Sequence, residues 1–176
     1  MPKLSRRLLR IALLSLCGLL AHDAARAQNL DEYAVKAAFL LNFAAFTEWP
    51  ESVGKELALC VVGIDPFGGQ LDKLAGRKIG ARALLVRRLA MLDEGTTCQI
   101  VFIARNQAAN APRLIEQAAR GATLTVADSE GLGQHGVMIN MSLRSERVAF
   151  DINASAARRA GLSISSKLLR LAEAVQ

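Results

Sequence analysis

LALCVVGIDP, residues 57–66, is the stretch that decides the fold. Apolar residues run almost without a break from Leu57 to Val62 and stop at the turn Gly63-Ile64-Asp65-Pro66. A strand with one wet face alternates polar and apolar positions. A strand apolar at every position is buried on both faces, as in a parallel sheet with helices above and below. CQIVFIA (98–104) repeats the pattern, so Gln99–Ala104 reads as a second strand of this kind. Between the two lie a short helix ending near Leu74 and a strand over Ala83–Val86. Working outward, the spacing predicts a helix from Ala108 to Arg120, ended by Gly121, and a strand over Ala122–Val126. Val137–Leu143 and Arg147–Ile152, separated by Arg144-Ser145-Glu146, read as an antiparallel hairpin with a three-residue turn. In its second arm Val148, Phe150 and Ile152 alternate with Arg147, Ala149 and Asp151, which buries one face only. Residues 154–160 and 166–174 read as two closing helices broken at Gly161. At the front, Tyr33, Ala37, Leu40, Leu41 and Ala44 recur at helical spacing over Asp31–Thr47, with Pro50 beyond the end. The sum is an α/β chain: a single-domain, Rossmann-like sandwich with a mixed sheet of about six strands and helices on both faces.

The first 27 residues are of another kind. Lys3, Arg6, Arg7 and Arg10 precede the ten-residue apolar run Ile11–Leu20, and Ala25-Arg26-Ala27 offers small residues where a signal peptidase needs them. The expectation is a cleavable export signal over 1–27 and one periplasmic domain over 28–176. The alternative, an uncleaved anchor, meets the difficulty that ten residues are too few to span about 30 Å of hydrocarbon. Leu16 before Cys17 does not fit a lipoprotein signal. Removing the segment changes the charge argument. The whole chain carries +6 and a pI near 9.7, but residues 28–176 hold 17 Lys and Arg against 15 Asp and Glu, or +2. That balance gives no ground for a nucleic-acid partner.

Cys60 and Cys98 are then the cysteines that remain. An even pair in an oxidising compartment reads as one disulfide, the alternative being two buried thiols. His135 is the one histidine left, in the glycine-bearing loop 131–136, and reads as a solvated side chain. No His/Cys metal spacing, Gly-x-Ser-x-Gly elbow or Cys/His pair is present. The turn at 63–69 lacks the Gly-x-Gly-x-x-Gly order of a dinucleotide loop, and Pro66 removes an amide. The expectation is a protein without catalytic residues, metal or cofactor.

Two features stay open. Ser163-Ile164-Ser165-Ser166-Lys167 opens the last helix and reads as an N-cap or as an anion-holding helix start. Phe39, Phe43 and Phe46, leading to Trp49-Pro50, lie on a helix that is apolar nearly all round. Such a helix is buried on several sides, by the core or additionally by a partner or second subunit.

The strings KAAFLLNFAAFTEWP (36–50), LCVVGIDPFG (59–68), CQIVFIA (98–104), LTVADSEG (124–131), GVMINM (136–141) and INASAARRAGLSISSKLLRLA (152–172) together resemble the YfiR family of bacterial periplasmic proteins. The resemblance implies a non-enzymatic regulator that binds and represses a YfiN-type inner-membrane diguanylate cyclase through its periplasmic domain. Repression lowers cyclic di-GMP signalling and biofilm formation, and an outer-membrane YfiB-like lipoprotein relieves it. The resemblance also implies a homodimer. It matches Cys60 and Cys98 to a family disulfide, while a second cross-link known near the hairpin has no cysteines here within 133–140. It carries a partner-facing patch onto Ile139, Asp151 and Ala157, and a small-ligand contact region onto Trp49, Pro50, Ser163 and Ser165. The other function considered is a periplasmic small-molecule-binding module.

Overall fold

Alternation along Glu56–Val62 sends its side chains into two different cores. Leu57, Leu59 and Val61 join one cluster, and Ala58, Cys60 and Val62 join another on the opposite side of the sheet. In the computed structural model, which describes residues 32–93 and 95–176, this strand is flanked by parallel neighbours on both sides. The expected signal segment lies outside the described residues.

The helix α1 (residues 32–45) is followed by β1 (Thr47–Glu48), β2 (Glu56–Val62), α2 (Gly69–Asp72), β3 (Lys78–Ile79) and β4 (Arg82–Leu89). Next come β5 (Ile100–Ile103), a 3-10 turn (Arg105–Asn110), α3 (Ala111–Ala118), β6 (Leu124–Ala127), β7 (Ile139–Arg144) and β8 (Arg147–Ile152). The chain closes with α4 (Ala154–Arg159), β9 (Ser163–Ile164), α5 (Ser166–Leu169) and β10 (Ala174–Val175). The main sheet has the order β10-β8-β7-β6-β5-β2-β4-β3. The strands from β7 to β4 in that order are parallel, and β8 and β3 run antiparallel to their inner neighbours. The result is the expected mixed sheet, with two-residue strands added at each edge.

Helices cover both faces, which is why the central strands need apolar residues at every position. On one side Phe43 of α1 meets Phe150 of β8 with ring centroids 5.0 Å apart, and Phe67 meets Phe102 at 4.7 Å. On the other, Ala111 and Leu114 of α3 pack with Val101, Ile103 and Ala127. The cysteines form a disulfide, Cys60–Cys98, with Cα atoms 5.9 Å apart, and it sits in this second core.

Several boundaries differ from the sequence reading, each for a local reason. The hairpin pairs Arg144 with Arg147, so its turn is Ser145-Glu146 rather than three residues, and both have positive φ (46° and 63°). That is the geometry of a two-residue turn whose twist matches the strands. The helix expected over 108–120 begins only at Ala111, with Pro112 in its first turn, where the missing N–H costs nothing. Arg105–Asn110 ahead of it winds as a 3-10 turn. The last helix stops at Leu169, and Ala174–Val175 instead adds a strand to the open edge of β8. The Glu173 and Gln176 amides donate to Phe150 and Ile152 carbonyls at 3.0 and 2.9 Å, satisfying edge groups that a helix there would leave unpaired. α1 is also not covered all round: Val35, Ala38, Asn42 and Ala45 remain exposed in the single chain.

Candidate functional site

The small strands β1 and β9 bring together residues more than a hundred positions apart. They pair antiparallel with Thr47 opposite Ile164 and Glu48 opposite Ser163, and the Ser165 amide donates to the Phe46 carbonyl at 2.9 Å. Trp49 and Pro50 follow directly on β1, with the indole Nε1 donating to the Ala44 carbonyl at 3.0 Å. Trp49, Pro50, Ser163 and Ser165 therefore share one short ribbon. The Ser165 side chain makes no cap bond to α5, and its Oγ is buried without a hydrogen-bond partner among the described residues. α5 itself is a single turn, so its aligned dipoles sum to little.

The residues assigned to a partner-facing patch are distributed differently. Ile139 lies opposite Ile152 within the sheet and Ala157 lies within α4, and both are fully buried. Their side chains back the surface and offer none of it. Asp151 is half-buried, lies opposite Asn140, and faces Arg144 across an ion pair of 3.6 Å. His135 is exposed in its loop, and no group of three or more His, Cys, Asp or Glu among the described residues has a metal-holding arrangement.

The turn after β2 is held by side chains. Gly63 has a φ of 103°, and a Cβ there would stand 2.5 Å from Asn106 Oδ1. The Ile64 amide donates to that same Asn106 oxygen at 2.9 Å. Arg88 of β4 donates to Asp65 and Asp72 at 2.7 and 2.8 Å, bonds that hold its guanidinium firmly in the charged form. In doubly wound sheets the crevice where strand order reverses is the usual nucleotide site. Here that crevice lies between β2 and β5, and Asn106 and Gln107 close against Gly63.

A charged cluster that the sequence reading did not single out lies at the carboxyl end of β6. Lys36 of α1 is fully buried, and its Nζ contacts Asp128 Oδ2 at 2.6 Å and Glu32 Oε1 at 2.5 Å. The Tyr33 hydroxyl donates to the same Asp128 oxygen at 2.8 Å, and Arg105 approaches it at 3.3 Å. Burial, then the hydrogen bond to Asp128, pushes the Tyr33 phenol well above its ordinary range, so it stays a donor. A signal for this cluster exists: Lys36 occupies the same helical face as Tyr33, Leu40 and Phe43, and Asp128 follows directly on an apolar strand. Asp128 also lines a cleft of about 770 Å³ with Arg105, Ser129, Asn140, Arg144 and Asp151.

Comparison with known proteins identifies the family. The profile of the YfiR/HmsC-like family matches residues 33–173, and the chain belongs to that family of periplasmic regulatory proteins. No functionally curated protein matches the sequence. A crystal structure of a conserved domain protein from Vibrio cholerae O1 biovar El Tor strain N16961 is similar at 11% identity and a TM-score of 0.48. The match covers 69% of this chain and 55% of that protein, so the chain spans about half its length. Among the described residues no helix is long and apolar enough to cross a membrane.

Proposed function

We propose that the protein is a non-enzymatic periplasmic regulator that binds the periplasmic domain of an inner-membrane diguanylate cyclase and holds it inactive, lowering cyclic di-GMP and biofilm formation. Family membership over residues 33–173 is the observation that carries this reading. The export signal read in residues 1–27 supports it by delivering residues 28–176 to the right compartment. Docking is assigned to the surface of the β7–β8 hairpin, where Asp151 supplies charge, Leu143 is 49% exposed, and Ile139 and Ala157 form the rigid backing. Relief by an outer-membrane YfiB-like lipoprotein and assembly as a homodimer complete the reading. The test is calorimetric titration of the purified protein with the periplasmic domain of a candidate cyclase. Binding is expected, with Asp151→Arg weakening it about tenfold or more at an unchanged melting temperature, as rim charge reversals do. Absence of binding would count against the proposal.

A small-molecule role for the β1–β9 ribbon has one observation in its favour, the partnerless Ser165 oxygen at the end of the ribbon opposite Phe46. Trp49 is the chain's one tryptophan, so its fluorescence reports on this ribbon directly. A screen of anionic and aromatic metabolites that leaves this fluorescence unchanged removes the reading.

A further inference from the structure

We infer that the cleft between β6, β7 and the loop 129–134 is a binding site for a small primary amine, held through its ammonium group by Asp128, Ser129 and Asn140. The argument begins with one carboxylate. Tyr33, Lys36 and Arg105 all converge on Asp128 Oδ2, at 2.8, 2.6 and 3.3 Å. Asp128 Oδ1 has no hydrogen-bond partner among the described residues, although the side chain is wholly buried. Asn140 Oδ1 and Ser129 Oγ are in the same condition, and all three residues line the same cleft. A buried acceptor left unpaired costs about 1–3 kcal/mol, and three of them on residues lining one cleft amount to a standing demand for donors.

Charge and size narrow the class. The acids lining the cleft are Asp128, Glu130 and Asp151, and the bases are Arg105 and Arg144. With Lys36 and Glu32, which pair with these groups, the acids Glu32, Asp128, Glu130 and Asp151 outnumber the bases Lys36, Arg105 and Arg144 by one, so the surplus is negative. A cation is favoured over an anion. A hard metal ion is not favoured, since it takes six or more oxygens and only one of the three orphans is a carboxylate. An ammonium group brings one positive charge and three donors for three acceptors. The volume, about 770 Å³, lies within the range of small-ligand pockets. The cleft opens at the carboxyl end of β6, next to but distinct from the β2–β5 switch crevice. This site is separate from the Trp49–Ser165 ribbon and stands whether or not the protein represses a cyclase.

The test is calorimetric titration of the purified protein with putrescine and with ethanolamine, using tetramethylammonium, a cation without N–H groups, as the control. The amines are expected to bind and tetramethylammonium is not. Ser129→Ala and Asn140→Val each remove an oxygen that has no partner to lose, so both variants are expected to melt close to the parent. Each is expected to weaken amine binding about tenfold, the usual effect of losing one hydrogen bond to a charged group. No binding by either amine, equal binding of tetramethylammonium, or parental affinity in both variants would overturn the proposal; the first result would leave the three oxygens to water alone.

Discussion

Lys36 occupies a position on α1 where a lysine has no access to water, and its ammonium is retained by Asp128, the residue just past β6 and 92 positions away. Removing one member of a buried ion pair strands the other, at a cost of about 3–5 kcal/mol, whereas replacing both by apolar groups costs far less. Lys36→Met alone is therefore expected to destabilise the fold by an amount in that range. Lys36→Met with Asp128→Leu should recover most of the loss, read from denaturant midpoints as a double-mutant cycle. Tyr33 adds a pH signature. Its folded pKa is raised above the ordinary value of about 10, so the stability it contributes is present in full below that pH and declines as pH rises beyond it. Tyr33→Phe is expected to lose about 2 kcal/mol at neutral pH. The gap to the parent should narrow above roughly pH 10. A gap constant to pH 11 would show that the phenol does not act through its proton. Of this cluster, the sequence carries only half. Lysine three positions from Tyr33 lies on the buried face by simple helical periodicity, but the partner across the sheet is a tertiary fact that no local spacing announces.

At the scale of elements, what decided legibility was length. β2 and β5 were readable because burial on both faces requires unbroken apolar runs, and β8 because burial on one face imposes alternation. β1, β3, β9 and β10 have two residues each, too few to show any period. The apolar run of β4 stops at Val86, although Arg87 and Arg88 continue the strand in register opposite Cys60 and Val61. The four residues of the proposed small-ligand ribbon were named from resemblance, and it is the unreadable β1–β9 pairing that brings them together. The disulfide belongs to this scale too, because it ties β2 to the segment entering β5 across 38 positions. Closing a loop of that length stabilises a domain by about 4 kcal/mol in the chain-entropy account. A Cys60→Ala/Cys98→Ala variant should melt well below the parent in the absence of reductant, and reductant should lower the parent to meet it. Equal melting temperatures without reductant would contradict a stabilising role.

For the molecule as a whole, the residues that satisfied most expectations are structural. The glycine turn after β2 is packed against Asn106 and Gln107, and the one histidine of residues 28–176 is on the surface. What remains on offer is surface and cleft: the hairpin with Asp151, the exposed stripe of α1, and the acceptor-lined cavity beside β6. The central claim is that the protein holds a diguanylate cyclase inactive. Intracellular cyclic di-GMP, measured in a strain deleted for this protein and in the same strain also lacking the partner cyclase, tests it most directly. The account predicts a rise in the single deletion that disappears in the double deletion, whereas a cyclic di-GMP level in the single deletion equal to the parent's would contradict it.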